Sequence, residues 1–250
     1  MEILDFVNEI KEHAVQELLA VSDGGSKTEQ TYSFEAGQAQ LITIRGGAIE
    51  KAAIAHLSLD GVKPPGAEKS VNGVVYQMEI FPRNPYCPMG HFNTEWMFAE
   101  PTLYFMNLDL FPAVAVQEDI EGARAAMDAV AQRHGRNADT CREGLAVQYA
   151  MEHWPGTLAA QVGLQMKGLQ EGDLDLFTEA YEALFKSYVG ILAKRKDQAF
   201  DAEQEQQKLV RNGRWLEYIA IKDRAIKMAQ AVGVPPEVLI GLSFPPSAAF

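Results

Sequence analysis

Cysteine is scarce in this chain: Cys87 and Cys141 are its only two in 250 residues. They lie far apart and lack metal-ligand spacing, so neither a disulfide framework nor a cysteine-rich zinc site is expected. Both read as free thiols of a reducing compartment. Positive charge is short as well, with 22 Lys and Arg against 34 Asp and Glu, a net charge of −12. Phosphate recognition needs clustered cations, so no nucleic-acid partner is expected. The one short basic run, Lys194-Arg195-Lys196, reads as a solvated helix face. No apolar stretch approaches the ~20 residues of a membrane span. The opening MEILDFVNEIKEHAVQELLA carries acids early and an amphipathic pattern, in place of the basic-then-apolar order of a signal. A leading helix and a cytoplasmic protein are expected. Repeats, low-complexity tracts and Gly/Ser linkers are missing too, which predicts one domain over residues 1–250. GxGxxG, GxxxxGK[ST], HxxxH and CxxC do not occur in the contexts that would bind nucleotides or metal. No Ser-His-Asp constellation can be picked out by position.

What is present concentrates in residues 82–98, PRNPYCPMGHFNTEWMF. Each proline fixes φ, removes an N–H donor and biases its predecessor toward extended geometry. From His91 the chain alternates His91, Asn93 and Glu95 on one face with Phe92, Thr94 and Trp96 on the other, as a strand does. Two hydrogen-bonding side chains thus project the same way from a stiff support, an arrangement suited to a pre-shaped site.

Around this segment the pattern runs strands first and helices later. Strand-like runs occur at Gln40–Ile44, Ile49–Leu59, Val74–Phe81, His91–Phe98 and Leu103–Leu110, with Gly46-Gly47 as a hairpin turn. Gln117–Gly135 and Thr140–His153 read as helices. A long helix follows Gly172-Asp173, with an exposed, charged later part running to Gln207. Trp215–Ile221 alternates again, and Val238–Phe244 reads as a strand closing the sheet. Consecutive strands on short connections predict antiparallel pairing with helices covering the sheet, an α+β fold.

These residues resemble the aerobic coproporphyrinogen III oxidases, enzymes of the haem pathway, whose signature runs NPYxP, two residues, then HxN. FEAGQAQLITIRGGAIEKAAIAHLS, Phe34–Ser58, is similar to the family's EAGGGxSxVxxxGxVFExAGVNxS. NLDLFP, Asn107–Pro112, is similar to GFDLTP, and RNGRWLEYIAIKDR, Arg211–Arg224, to RRGRYVEFNLxxDR. The terminal SFPPSAAF, Ser243–Phe250, matches the position of SxPPxxxW. The resemblance implies a broad antiparallel sheet sandwiched between helices, and a homodimer. It implies a small-molecule tetrapyrrole ligand and oxidative decarboxylation of propionates by dioxygen, with neither metal nor organic cofactor.

The same resemblance assigns roles that the residues alone leave open. His91 is a half-buried strand histidine by itself; in this motif it becomes a catalytic candidate. Asp109 is either an acid capping the helix after Pro112 or the family's acid facing the pyrrole nitrogens. Asn93 either satisfies backbone or contacts substrate. Ser58 is an ordinary strand serine or a pocket serine. Arg211, Arg214 and Arg224 read as surface cations, and the motifs raise Arg214 and Arg224 to substrate-binding candidates. His56 reads as core, His13 and His134 as surface, and His153 is undecided.

Departures from the family pattern fall mostly on cations. Glu95 stands where the family has arginine, TLAAQVG (Thr157–Gly163) replaces an arginine-bearing RRGIGG, and VGVPPE (Val232–Glu237) replaces GGRTE. Ala248 and Ala249 stand where an arginine and an aromatic residue follow the prolines. Each Arg–carboxylate contact contributes roughly 1.5–3 kcal/mol, so recognition of a tetra-anion is weakened, and Glu95 repels it. Three functions remain open. One is a coproporphyrinogen oxidase clamped by other cations, such as Arg45, Arg83, Arg214 and Arg224. Another is an oxidoreductase on a different tetrapyrrole such as a bilin, and the third is a non-catalytic tetrapyrrole-binding protein.

Overall fold

The structure, a computed structural model, describes residues 3–63, 69–100 and 102–250, the side chain of Glu171 excepted. Helix α1 (Ile3–Ser22) opens the chain and buries Phe6, Val7, Ile10, Ala14, Leu18 and Val21 along one stripe. Met1 and Glu2, read as part of it, lie outside the described residues. Seven strands follow: β1 (Ser26–Phe34), β2 (Gly37–Gly46), β3 (Ile49–Val62), β4 (Val71–Pro82), β5 (Met89–Phe98), β6 (Leu103–Phe111) and β7 (Leu164–Leu169). They form one antiparallel sheet in chain order. Between β6 and β7 lie α2 (Gln117–Arg133) and α3 (Ala138–Gln148). The chain ends with α4 (Leu174–Arg195), α5 (Ala202–Ile221), α6 (Arg224–Ala231) and α7 (Pro236–Ser243).

The α+β expectation holds, and the five expected strands and their pairing are present. Gly46 and Gly47 turn the β2–β3 hairpin at φ +115° and +54°. A Cβ on Gly47 would lie 1.4 Å from the Ser22 carbonyl oxygen, so glycine is required there. Asn84 ties the proline-rich β4–β5 connection to the end of α4, donating to the carbonyls of Lys196 (3.2 Å) and Gln198 (2.7 Å).

Two expected strands are helices. Trp215–Ile221 belongs to α5, which starts at a capping box of Asp201 and Gln204. Its buried Lys208, Arg211, Asn212, Trp215, Tyr218 and Ile219 recur at helical spacing. A seven-residue window is too short to separate that period from alternation. Val238–Phe244 lies mostly in α7, where Pro236 occupies the first turn and Val238, Leu239 and Leu242 face the sheet. The long helix stops at Arg195 instead of running to Gln207, and α3 stops at Gln148 instead of His153. Strands β1 and β7 are additional: β1 is an almost wholly exposed edge, so it carries no apolar alternation.

The two sheet faces differ in a way that positions the site. One face, built from Ile42, Ile54, Val74, Tyr76, Met78, Phe92, Trp96 and Leu108 with Thr94 and His56 among them, is mainly apolar and packs with α1, α2 and α4. Tyr76 and Tyr181 share a 2.8 Å hydroxyl contact there. Fully burying each large apolar side chain contributes roughly 1.5–3 kcal/mol. On the other face the apolar packing is split. Leu41, Ala55, Leu57 and Leu59 pack on α7. Phe81, Met89 and Phe111 pack on Leu145 and Tyr149 and on Trp215 and Tyr218 of α5. Between these clusters the sheet presents polar side chains.

Candidate active site

Strand register assembles the polar patch. Glu79 pairs across to His91, and His91 to Asp109; one step along, Gln77 pairs to Asn93, and Asn93 to Asn107. Side chains directly opposite on antiparallel strands stand on the same face about 4.5–5.5 Å apart. Six polar residues from β4, β5 and β6 therefore form two adjacent rows. All but Gln77 are buried, Glu79 and Asp109 completely.

The centre is a buried histidine–carboxylate pair. His91 Nδ1 lies 2.7 Å from Glu79 Oε1, and Gln77 Nε2 donates to the same oxygen at 2.8 Å. Burial pulls the His91 pKa down, but the charge and hydrogen bond of Glu79 overcome it, with a net rise. Phe111, Tyr149 and Trp215 enclose the imidazole, with ring centroids at 6.0, 5.8 and 5.6 Å. Asn93 Nδ2 donates to Glu95 at 3.0 Å, and Asn107 Nδ2 to the Tyr149 hydroxyl at 2.7 Å.

Four atoms of the two rows are buried without a hydrogen-bond partner: Glu79 Oε2, His91 Nε2, Asn93 Oδ1 and Asn107 Oδ1. Native proteins leave few such groups, because each costs about 1–3 kcal/mol. Four such atoms on one patch of three adjacent strands single it out as the candidate site.

Asp109 has a different occupation. Its carboxylate accepts the backbone N–H groups of Gln161, Val162 and Gly163 at 2.9, 3.0 and 3.1 Å. Gln161 has φ +57°, and a Cβ on Gly163 would lie 1.8 Å from the Leu108 carbonyl oxygen. This tight loop from the TLAAQVG segment is folded around the acid. Burial pushes the Asp109 pKa up, against the backbone donors of Gly163, Leu110, Gln161 and Val162. The helix-capping alternative fails: α2 begins at Gln117, after Val116, with no side-chain cap.

A cavity of about 230 Å³ opens beside the polar rows, between β3–β5 and the α6–α7 segment. Gln77 and Glu95 line it from the sheet and Asp223 from the start of α6, amid Leu57, Val75, Met97, Ile226, Ala229 and Leu239. Burial pushes the Glu95 pKa up, opposed by the Asn93 hydrogen bond and reinforced by Asp223. The Asp223 pKa is also raised by burial, opposed by the N–H groups of Ala225 and Ile226 and by His91.

The other sequence candidates do not join this group. Ser58 is exposed and pairs with Val74, which places it on the opposite face of the sheet from His91. Arg214 is half-buried on α5, 5.9 Å over the Trp154 ring, and Arg224 is exposed on α6. Arg45 and Arg83 are exposed and donate to the carbonyls of Glu50 and Gly47. Arg211, read as a surface cation, is buried instead: it donates to the Phe111 carbonyl at 2.6 Å, and burial lowers its pKa to about 10. His56 is half-buried on the α1 side, with its pKa pulled to about 4 by burial. His153 is exposed, 3.5 Å from Glu217.

Sequence reading missed Glu79, Gln77, Asn107, Tyr149 and Asp223. For the first two a signal existed. VVYQMEIF places Gln and Glu at alternate positions inside an apolar strand, and a carboxylate there must be buried and partnered.

A sequence model of the coproporphyrinogen III oxidase family matches residues 2–250. The chain belongs to that family. Among solved structures it is similar to phytochromobilin synthase from tomato, crystallised in complex with biliverdin. The TM-score is 0.62 at 10% identity, over 95% of this chain and 81% of that one. At that identity the likeness is one of fold. It places the family's sheet-and-helix architecture in a second protein, with no helix of this chain's described residues long and apolar enough to cross a membrane.

Proposed function

We propose that the protein is a tetrapyrrole-directed oxidoreductase in which His91 and Asp109 handle protons and Asn93 and Asn107 orient the ligand. The observation that carries this reading is the cluster of four partnerless buried polar atoms at Glu79, His91, Asn93 and Asn107. A pyrrole edge offers N–H donors, and three of these four atoms are oxygens that accept. The reaction we propose is the one the family resemblance implies: a propionate and dioxygen give a vinyl group, carbon dioxide and hydrogen peroxide. Two electrons pass from the substrate to oxygen. The unpartnered His91 Nε2, kept protonated, donates to the ligand, and the Asp109 carboxylate takes the N–H proton as electron density is withdrawn. Glu79 acts through His91, holding the ring and favouring its charged form.

A second reading has its own observation. Glu95 and Asp223 place two carboxylates in the cavity, and no arginine lines it among the described residues. A ligand with four propionates is poorly served there. A linear tetrapyrrole such as the biliverdin held by the tomato protein, with two carboxylates, is served better.

Anaerobic titration with coproporphyrinogen III and with biliverdin, followed by absorbance, tests both readings. Admitting dioxygen to the first mixture should release carbon dioxide and peroxide in equal amounts. Biliverdin binding without porphyrinogen turnover selects the second reading. Failure of both compounds to bind at 100 μM refutes the assignment to tetrapyrroles.

A further inference from the structure

Glu95 stands on β5 one alternation beyond Asn93 and lines a mainly apolar cavity. The facing wall contributes a second carboxylate, Asp223. Asp223 is itself fixed: its oxygen accepts the Ala225 N–H at 2.7 Å, capping α6. Glu95 is held by Asn93 through one oxygen, Oε1. Lys63 is the one cation lining it among the described residues. Leu57, Met97 and Ala229 supply apolar walls.

We propose that Glu95 is a specificity-determining residue: it accepts a hydrogen bond from an N–H or protonated nitrogen of the ligand and turns carboxylates away from this cavity. The inference rests on the tetrapyrrole reading above and adds the orientation of the ligand. Its apolar, N–H-bearing edge enters beneath α6, and its carboxylates stay outside.

The chemistry is one of matched charge. A carboxylate accepts from N–H donors and, with Asp223 across the cavity, presents negative potential from two sides. A ligand carboxylate entering the same space meets repulsion and loses its water. An N–H edge meets a charge-assisted acceptor. Burial of an apolar ring edge against Leu57, Met97 and Ala229 adds area-dependent affinity. One residue therefore sets both attraction and exclusion, the two components of discrimination.

The test uses the full-length protein and two probes: biliverdin dimethyl ester, which retains the N–H groups but has no free carboxylate, and coproporphyrin III, which has four. Wild-type protein should bind the ester more tightly. Glu95→Gln should weaken the ester about tenfold or more and leave coproporphyrin III unchanged or tighter, reversing the ratio. Ala229→Phe, which fills the cavity without altering charge, should weaken the ester and so checks the location independently. If the ester binds wild type and both variants alike, the inference is overturned while the tetrapyrrole reading stands. If wild type binds the ester more weakly than coproporphyrin III, the inference is overturned as well. If neither the probes nor biliverdin bind wild type at all, the tetrapyrrole reading and the inference fall together.

Discussion

Replacing His91 by Gln tests whether the buried Glu79–His91 pair is a coupled ionic unit. Both side chains are almost fully buried and their atoms stand 2.7 Å apart. Removing one member of such a pair leaves an uncompensated charge, at a cost of about 3–5 kcal/mol. Glu79 keeps the hydrogen bond from Gln77, which argues for the lower end, about 3 kcal/mol. Glu79→Gln leaves an imidazole that can become neutral, so the loss is that of one charged hydrogen bond, about 1.5–3 kcal/mol. The double variant has neither charge. It should be less destabilised than the sum of the singles by about 2 kcal/mol. Urea denaturation at pH 6 measures all four corners of the cycle. Thermal midpoints should follow at about 2–4 °C per kcal/mol. The sign with pH is fixed by the raised folded-state pKa of His91. The pair's contribution is complete below the unfolded value of about 6.5 and is lost as pH rises through the folded value. The gap between wild type and His91→Gln should therefore narrow on going alkaline. Additivity of the singles within about 0.5 kcal/mol, or a gap that widens with pH, refutes the ion pair.

Three other outcomes are expected. Asp109→Asn, which exchanges one acceptor oxygen for a donor, should accelerate hydrogen exchange at Gln161, Val162 and Gly163; unchanged protection would remove the loop-anchoring role. Gly163→Ala forces a Cβ onto the Leu108 carbonyl oxygen and should cost about 3 kcal/mol or more by denaturant titration; a stability within 1 kcal/mol of wild type, an allowance of about one typical substitution, would contradict the close approach. Lys51 is buried and donates to the carbonyls of Gly241 (2.7 Å) and Phe244 at the end of α7, and burial lowers its pKa to about 7. The unfolded chain then holds more protons than the folded one between pH 7 and 10. Wild-type stability should rise relative to Lys51→Met by about 1 kcal/mol per pH unit across that range, and parallel curves would refute the shift.

Local pattern reached far into this structure because most of its elements announce their period. On β5 His91, Asn93 and Glu95 alternate with Phe92, Thr94 and Trp96, α1 and α4 carry long apolar stripes, and glycines mark the β2–β3 hairpin. Elements misread or missed are those whose period is hidden. Edge strand β1 has no buried face to pattern. The end of α5 and the short α7 offer only about two helical turns, too few to separate that period from alternation.

For the site, sequence alone determined that His91, Asn93 and Glu95 share one face, because side-chain direction in a strand depends only on parity. It determined the ancestry too, through motif order. Parity could not say which face Ser58 would take relative to His91, since that depends on the registers linking β3, β4 and β5. Nor could it bring Glu79 to His91, twelve residues earlier on another strand, or Asp223 to Glu95 from a helix more than a hundred residues away. The loop that claims the Asp109 carboxylate was equally invisible, because backbone donors carry no residue signature. Those meetings are made by cross-strand pairing and by packing of α5 to α7 onto the sheet. They are long-range contacts, and only the tertiary structure decides them.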